Sequence, residues 1–179
     1  MILSLFRKKR DLTPILATYA SIVAQSRQPC FYAEWGVPDT VTGRFDMISL
    51  HLALVFRRLR SESPEASRFS QELLDLFFSD MDRSLRSMGV GDLAVGKKVR
   101  KMSEVFFGLL TSVDASMKQN EPEALEGVLV RNIYAGVNEA DPAALAAYLR
   151  TTDRRFAAQP ASEIVGGALL FADLPGVLS

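Results

Sequence analysis

Residues 79–102 read SDMDRSLRSMGVGDLAVGKKVRKM, and this stretch decides the fold. It closes one strongly patterned helix, turns at Gly89-Val90-Gly91 and opens another. Upstream, Phe69, Leu73, Leu76, Phe77, Met81, Leu85 and Met88 share a wide helical face. Downstream, Val95, Val99, Met102, Phe106, Leu109, Leu110, Val113 and Met117 fall within roughly 100° of arc, the width of a core-facing stripe. Glycine just past the last apolar residue is helix C-cap chemistry. Asp92 is a good N-cap for the helix that follows.

Working outward, Ser63-Pro64-Glu65 is a cap and start for the upstream helix, which runs to about Met88. Before it, a helix from about Phe45 to Arg60 carries Ile48, Leu52, Val55 and Leu59 on one stripe and Met47, Leu50 and Leu54 on another. Apolar residues on so much of its circumference predict a central, buried helix. A first helix opens at Thr13 with Pro14 at its first position and ends at Pro29. Between these two lies a turn-rich, non-periodic segment, 31–45, holding Phe31, Tyr32, Trp35 and Phe45. C-terminally, helices follow Asn120-Glu121-Pro122 and Asp141-Pro142, the second broken at Gln159-Pro160. A short apolar helix over Ile164–Phe171, weakened by Gly166-Gly167, precedes a tail. No strand-like alternation or internal repeat is present. The expectation is an all-α protein: a basic amphipathic segment (1–12), one globular domain of about six to seven helices (13–173) and a tail (174–179).

The bulk numbers exclude several function classes. At 179 residues the chain is long enough for one domain with a real core. Lys and Arg total 21 against 21 Asp and Glu, so electrostatic function must come from local patches. One Cys (Cys30) and one His (His51) rule out an internal disulfide and argue against a one-chain zinc site. No apolar run approaches the ~20 residues that span a bilayer. The start, MILSLFRKKR, is too short in its apolar part for a signal peptide. It reads either as a weak anchor on an anionic membrane surface or as a frayed start covering the core.

Several side chains carry chemistry. Asp80 falls inside the apolar arc of its helix, where an unpaired carboxylate costs several kcal/mol in order of magnitude. Its in-chain ion-pair candidates are Arg58 and His51; the other reading is a recognition carboxylate at an open groove. His51 among apolar neighbours is a hydrogen-bonded core residue, or else a ligand or proton carrier. Asp82 and Arg86 have i,i+4 ion-pair spacing. The aromatics of the turn-rich segment either plug the core or anchor a partner. Lys97, Lys98, Arg100 and Lys101 are either a solvated face or a surface for an acidic or phosphate-bearing partner. Their crowding toward a helix N-terminus, where the dipole disfavours cations by ~0.3–1 kcal/mol each, favours the second.

The segments Phe31-Tyr32, Gly36-Val37-Pro38-Asp39-Thr40, Gly43-Arg44-Phe45-Asp46, Leu50-His51, Asp80-Met81-Asp82-Arg83, Met88-Gly89-Val90-Gly91-Asp92, Gly96-Lys97-Lys98-Val99 and Met102 resemble the ubiquinol–cytochrome c chaperone family. The likeness covers roughly residues 15–149. The one departure noted is Ser87, where the family usually has Glu. The resemblance implies an all-helical, non-enzymatic assembly factor for the cytochrome bc1 complex that binds newly made cytochrome b; no cofactor is expected. It implies partners among the bc1 subunits, with a small co-chaperone and the ribosome as further candidates. It points to a bacterial member working in the cytoplasm at the inner-membrane face; the apolar-plus-basic residues 1–10 are expected to touch anionic lipid. Partner binding is assigned to Lys97, Lys98, Arg100 and Lys101, with Phe31, Tyr32, Trp35 and Arg44 as a second candidate surface. The alternative function is RNA or ribosome binding through the 97–101 patch, which neutral total charge and the lack of an RNA motif disfavour. An enzyme would have to use Asp80, Asp82 and His51, and the sequence contains no nucleophile elbow, phosphate loop or metal spacing.

Overall fold

The computed structural model describes residues 11–119, 121–137 and 140–175. In chain order its helices are α1 (Thr13–Ser26), α2 (Pro29–Ala33), α3 (Val41–Leu59), α4 (Pro64–Ser87), α5 (Asp92–Met117), α6 (Pro122–Asn132), α7 (Pro142–Ala158) and α8 (Ala161–Val165). Among the described residues there is no strand. Six helices are long and two are little more than one turn, in line with the all-α expectation. The centre is α3. From Phe45 to Val55 every residue is buried, and α1, α4, α5 and α7 pack around it. α6 fills the space between α5 and α7, and α8 lies against α1 and α4.

The turn at 89–91 closes α4 as its sequence predicts. Gly89 takes φ +81°, a conformation that suits glycine. Its N–H donates to the Arg86 carbonyl at 3.0 Å, and the Val90 N–H donates to the Leu85 carbonyl at 3.1 Å. These paired bonds satisfy carbonyls the helix end would leave open. Asp92 is not the cap of α5. That place falls to Gly91, and Asp92 is the first helical residue, paired with Arg86, which also binds Asp82 at 2.6 Å.

Three elements differ from the sequence expectation. α3 begins at Val41, because the Thr40 hydroxyl accepts the Gly43 N–H at 3.1 Å and caps the helix one turn early. The aromatic segment is not a plain loop, since α2 forms behind Pro29. The apolar stretch after Val165 is not helical. Gly167 at φ +100° turns the chain out of α8, and Ala172 and Leu174 are buried in non-helical chain. Leu174 therefore belongs to the domain rather than to a tail. The basic segment before Asp11 lies outside the described residues.

Candidate functional site

An apolar groove opens where the first turn of α3, the end of α4 and the first half of α5 meet. Val41, Thr42, Phe45 and Asp46 come from α3, Leu85 from α4, and Lys98, Lys101, Met102 and Val105 from α5. Its volume is about 260 Å³. The early start of α3 is what places Val41 and Thr42 in its wall. Gly43 makes this possible. A Cβ there would stand 2.0 Å from the Pro38 carbonyl oxygen, so the 36–40 turn packs directly on the helix backbone. Val41 and Val105 are 60% and 44% exposed, large values for apolar residues lining a concavity. Leu93, at the start of α5, is fully exposed, and Met88 in the preceding turn is half exposed.

Asp46 is the unexpected member of the groove. It is 5% exposed and has no hydrogen-bond or ion-pair partner among the described residues. Desolvation disfavours its charged form and pushes the carboxyl up to about 7. Sequence reasoning passed over it because it lay inside a family-like segment. A signal existed: between Arg44 and Arg57 it is the one carboxylate in a stretch otherwise apolar but for Ser49 and His51.

The other sequence-derived residues divide sharply. Lys97, Lys98, Arg100 and Lys101 are all exposed. Lys98 and Lys101 turn toward the groove, whereas Arg100 lies 3.4 Å from Glu104 on another face. The dipole argument for their placement fails. Lys97 is the sixth residue of α5, past the first turn to which the dipole effect is confined. Phe31 (0% exposed) and Trp35 (8%) are core residues, not a partner surface. They pack edge-on at 5.3 Å, and Phe31 also meets Tyr148 and His51. Tyr32 is half-buried, its hydroxyl donating to the Ser26 carbonyl at 2.6 Å. Arg44 is exposed but bound to Asp39 at 2.7 Å, bracing the turn before α3.

The ion-pair expectation for Asp80 is corrected. Asp80 is half-buried and accepts a hydrogen bond from the Tyr19 hydroxyl at 2.9 Å. Burial, with the Asp80 carboxylate behind it, holds that phenol far above its ordinary range. Arg58 instead donates to the Phe156 and Gln159 carbonyls at the end of α7 and pairs with Glu62. The reason is the register of two antiparallel helices. Phe45 stacks on Phe77 at 5.5 Å, which sets Asp80 level with the start of α3. Arg58 is thirteen residues further along α3, about 20 Å away at helical rise.

His51 is fully buried and has both ring nitrogens occupied. Nδ1 lies 2.7 Å from the Met47 carbonyl, so it carries the proton and donates. Nε2, 2.8 Å from the Tyr148 hydroxyl, then accepts from it, and Gln25 Nε2 donates to the same Tyr148 oxygen at 2.9 Å. Desolvation pushes the imidazole down to about 4. This is a satisfied core histidine with no free nitrogen for a ligand. With Asp80 on Tyr19 and Asp82 on Arg86, the three acid–base residues do not converge.

A second charged cluster is structural. Asp114 binds Arg57 at 2.6 Å, Arg60 at 2.8 Å and Lys118 at 2.9 Å, and Arg57 also reaches Asp153 at 3.0 Å. Three cations hold the Asp114 carboxyl well below the usual carboxylate range despite its desolvation. The network ties the end of α3 to α5 and α7. Among the described residues, no group of His, Cys, Asp and Glu could hold a metal ion, and no helix is long and apolar enough to cross a membrane.

These features define an all-helical domain with a central buried helix and an apolar groove edged by lysines. A sequence model described as ubiquinol-cytochrome C chaperone matches residues 33–171, and the chain belongs to that family. It is similar to the crystal structure of the Cbp3 homolog from Brucella abortus, at 35% identity over 99% of each chain and a TM-score of 0.86. It is also similar to ubiquinol-cytochrome-c reductase complex assembly factor 1 of Xenopus laevis, at 20% identity over 118 residues. That alignment covers 66% of this chain and 58% of the frog protein, so the chain spans less than two thirds of that relative.

Proposed function

We propose that the chain is a non-enzymatic assembly chaperone that binds newly made cytochrome b, or a segment of it, and promotes biogenesis of the ubiquinol–cytochrome c reductase complex. The observation that carries the reading is the groove between α3, α4 and α5, apolar in its walls and open between exposed Val41 and Val105. An apolar surface left open on a folded domain favours a protein partner. Family membership, together with a relative named as an assembly factor for that complex, supplies the client class. The working place is the cytoplasmic face of the inner membrane, with residues 1–10 touching anionic lipid and a co-chaperone or the ribosome as further partners.

The test is genetic and biochemical. Deleting the gene removes assembled bc1 complex, and the tagged protein pulled from solubilised membranes brings cytochrome b with it. Normal bc1 levels in the deletion strain would overturn the proposal. Binding through the 97–101 patch to RNA would instead collapse as salt is raised, because phosphate contacts release counterions.

A further inference from the structure

We propose that Asp46 is the recognition point of the groove, receiving the guanidinium of a single arginine that a docked partner segment presents from an otherwise apolar face. The inference rests on the groove being the docking site. It starts from an anomaly. Asp46 is 5% exposed and lines a cavity with no partner among the described residues, so it is a polar group built into an apolar site and left open. Such a group is costly to the free protein unless something completes it.

The surroundings select the occupant. Val41, Phe45, Leu85, Met102 and Val105 make the walls apolar, which suits the methylene stem of a long side chain. At the groove wall a carboxylate can accept two parallel N–H bonds from a guanidinium, a match that a point-charge ammonium does not offer. Lys98 and Lys101 are the other charged residues lining the groove, both from α5, and neither forms an ion pair with Asp46. They repel any cation at the mouth, the first arginine included, and attract carboxylates, so acidic residues flanking that arginine offset the repulsion. The charge pattern therefore describes a segment with one buried arginine and acidic residues flanking it. Desolvation raises the carboxyl to about 7, so near pH 7 about half of the free protein carries a proton on Asp46. An incoming guanidinium displaces that proton, so binding strengthens as pH rises.

The experiment titrates the full chain, with its methyl groups labelled for NMR, against n-butylguanidinium and against the neutral isostere n-butylurea. At pH 8 the guanidinium probe shifts the methyls of Val41, Leu85, Met102 and Val105 along a saturating curve. Binding of n-butylurea is at least tenfold weaker. Asp46→Asn, checked by its thermal melt to be folded, removes the preference. Equal binding of the two probes, a preference unchanged in Asp46→Asn, or no saturable shift of the groove methyls overturns the role of Asp46. The docking reading is judged separately by loss of bc1 complex on Val105→Glu, which leaves Asp46 in place.

Discussion

Asp46 and His51 sit five residues apart on α3, and burial moves their proton affinities in opposite senses. The carboxyl rises from its ordinary 3.8 to about 7, and the imidazole falls from 6.5 to about 4. Between pH 4 and 6.5 the native state therefore holds a proton on Asp46 and none on His51. The unfolded chain does the reverse, so the two groups contribute nearly cancelling slopes of stability against pH. Asp46→Asn removes one of them. The variant then loses stability as pH falls from about 6.5 toward 4.5, by up to about 1.4 kcal/mol per pH unit, as unfolded His51 takes a proton the native core refuses. Urea unfolding at several pH values reads the difference, and parallel profiles for the two proteins would contradict it. The other charged residues lining the groove with Asp46 are Lys98 and Lys101. A second residue-scale prediction concerns Tyr148. Its hydroxyl donates to His51 and accepts from Gln25 inside the core. Tyr148→Phe leaves a buried ring nitrogen without a donor and costs about 1–3 kcal/mol in urea unfolding.

At the scale of the element, the start of α3 is the decisive detail. Thr40 caps it, Gly43 admits the Pro38 carbonyl, and the resulting extra turn supplies one wall of the groove. Gly43→Ala puts a methyl group where the carbonyl oxygen stands. It is expected to destabilise the protein by about 2 kcal/mol or more, in the range of severe steric substitutions. The same variant loosens the groove, so its Tm and its cytochrome b recovery fall together; a wild-type melt would refute the steric account. The helices themselves were readable from period, caps and breakers. α4 and α5 ended and began where Gly89 to Asp92 indicated, within one residue. The α3 start was not, because capping by Thr40 competes with turn chemistry at Val37 to Thr40, and the tight Gly43 approach is a tertiary contact. The register of α3 against α4 is legible in the sequence. A short connection makes the two helices antiparallel, which already pairs the end of one with the start of the other and separates Arg58 from Asp80.

At the scale of the whole molecule, docking should be separable from stability. Val105 lies at the groove edge and is already 44% exposed, so Val105→Glu changes unfolding free energy by no more than about 0.5 kcal/mol. It places a charge among the apolar walls, and the assembled bc1 complex and co-purified cytochrome b are expected to drop several-fold. Retained assembly in a strain carrying this folded variant would move the client site off the groove. Charge reversal at Lys97, which is exposed and does not line the groove, is the matched control and leaves assembly intact.

The sequence by itself determined the all-helical class, the central place of α3, the amphipathic faces of α4 and α5, and the family. All of these follow from local periodicity, capping and ordered motifs, which need no knowledge of what packs on what. Tertiary structure decided which polar residues meet. It sent Asp80 to Tyr19, Arg58 to the carbonyls closing α7, and Phe31 and Trp35 into the core around His51 and Tyr148. It also split the basic run opened by residues 79–102, turning Lys98 and Lys101 onto a groove with an unpartnered carboxyl at its wall. That groove draws on residues between Val41 and Val105 on three helices, brought together by the register of those helices. Periodicity gives the face a residue occupies on its own helix; register and helix rotation set which neighbour it meets.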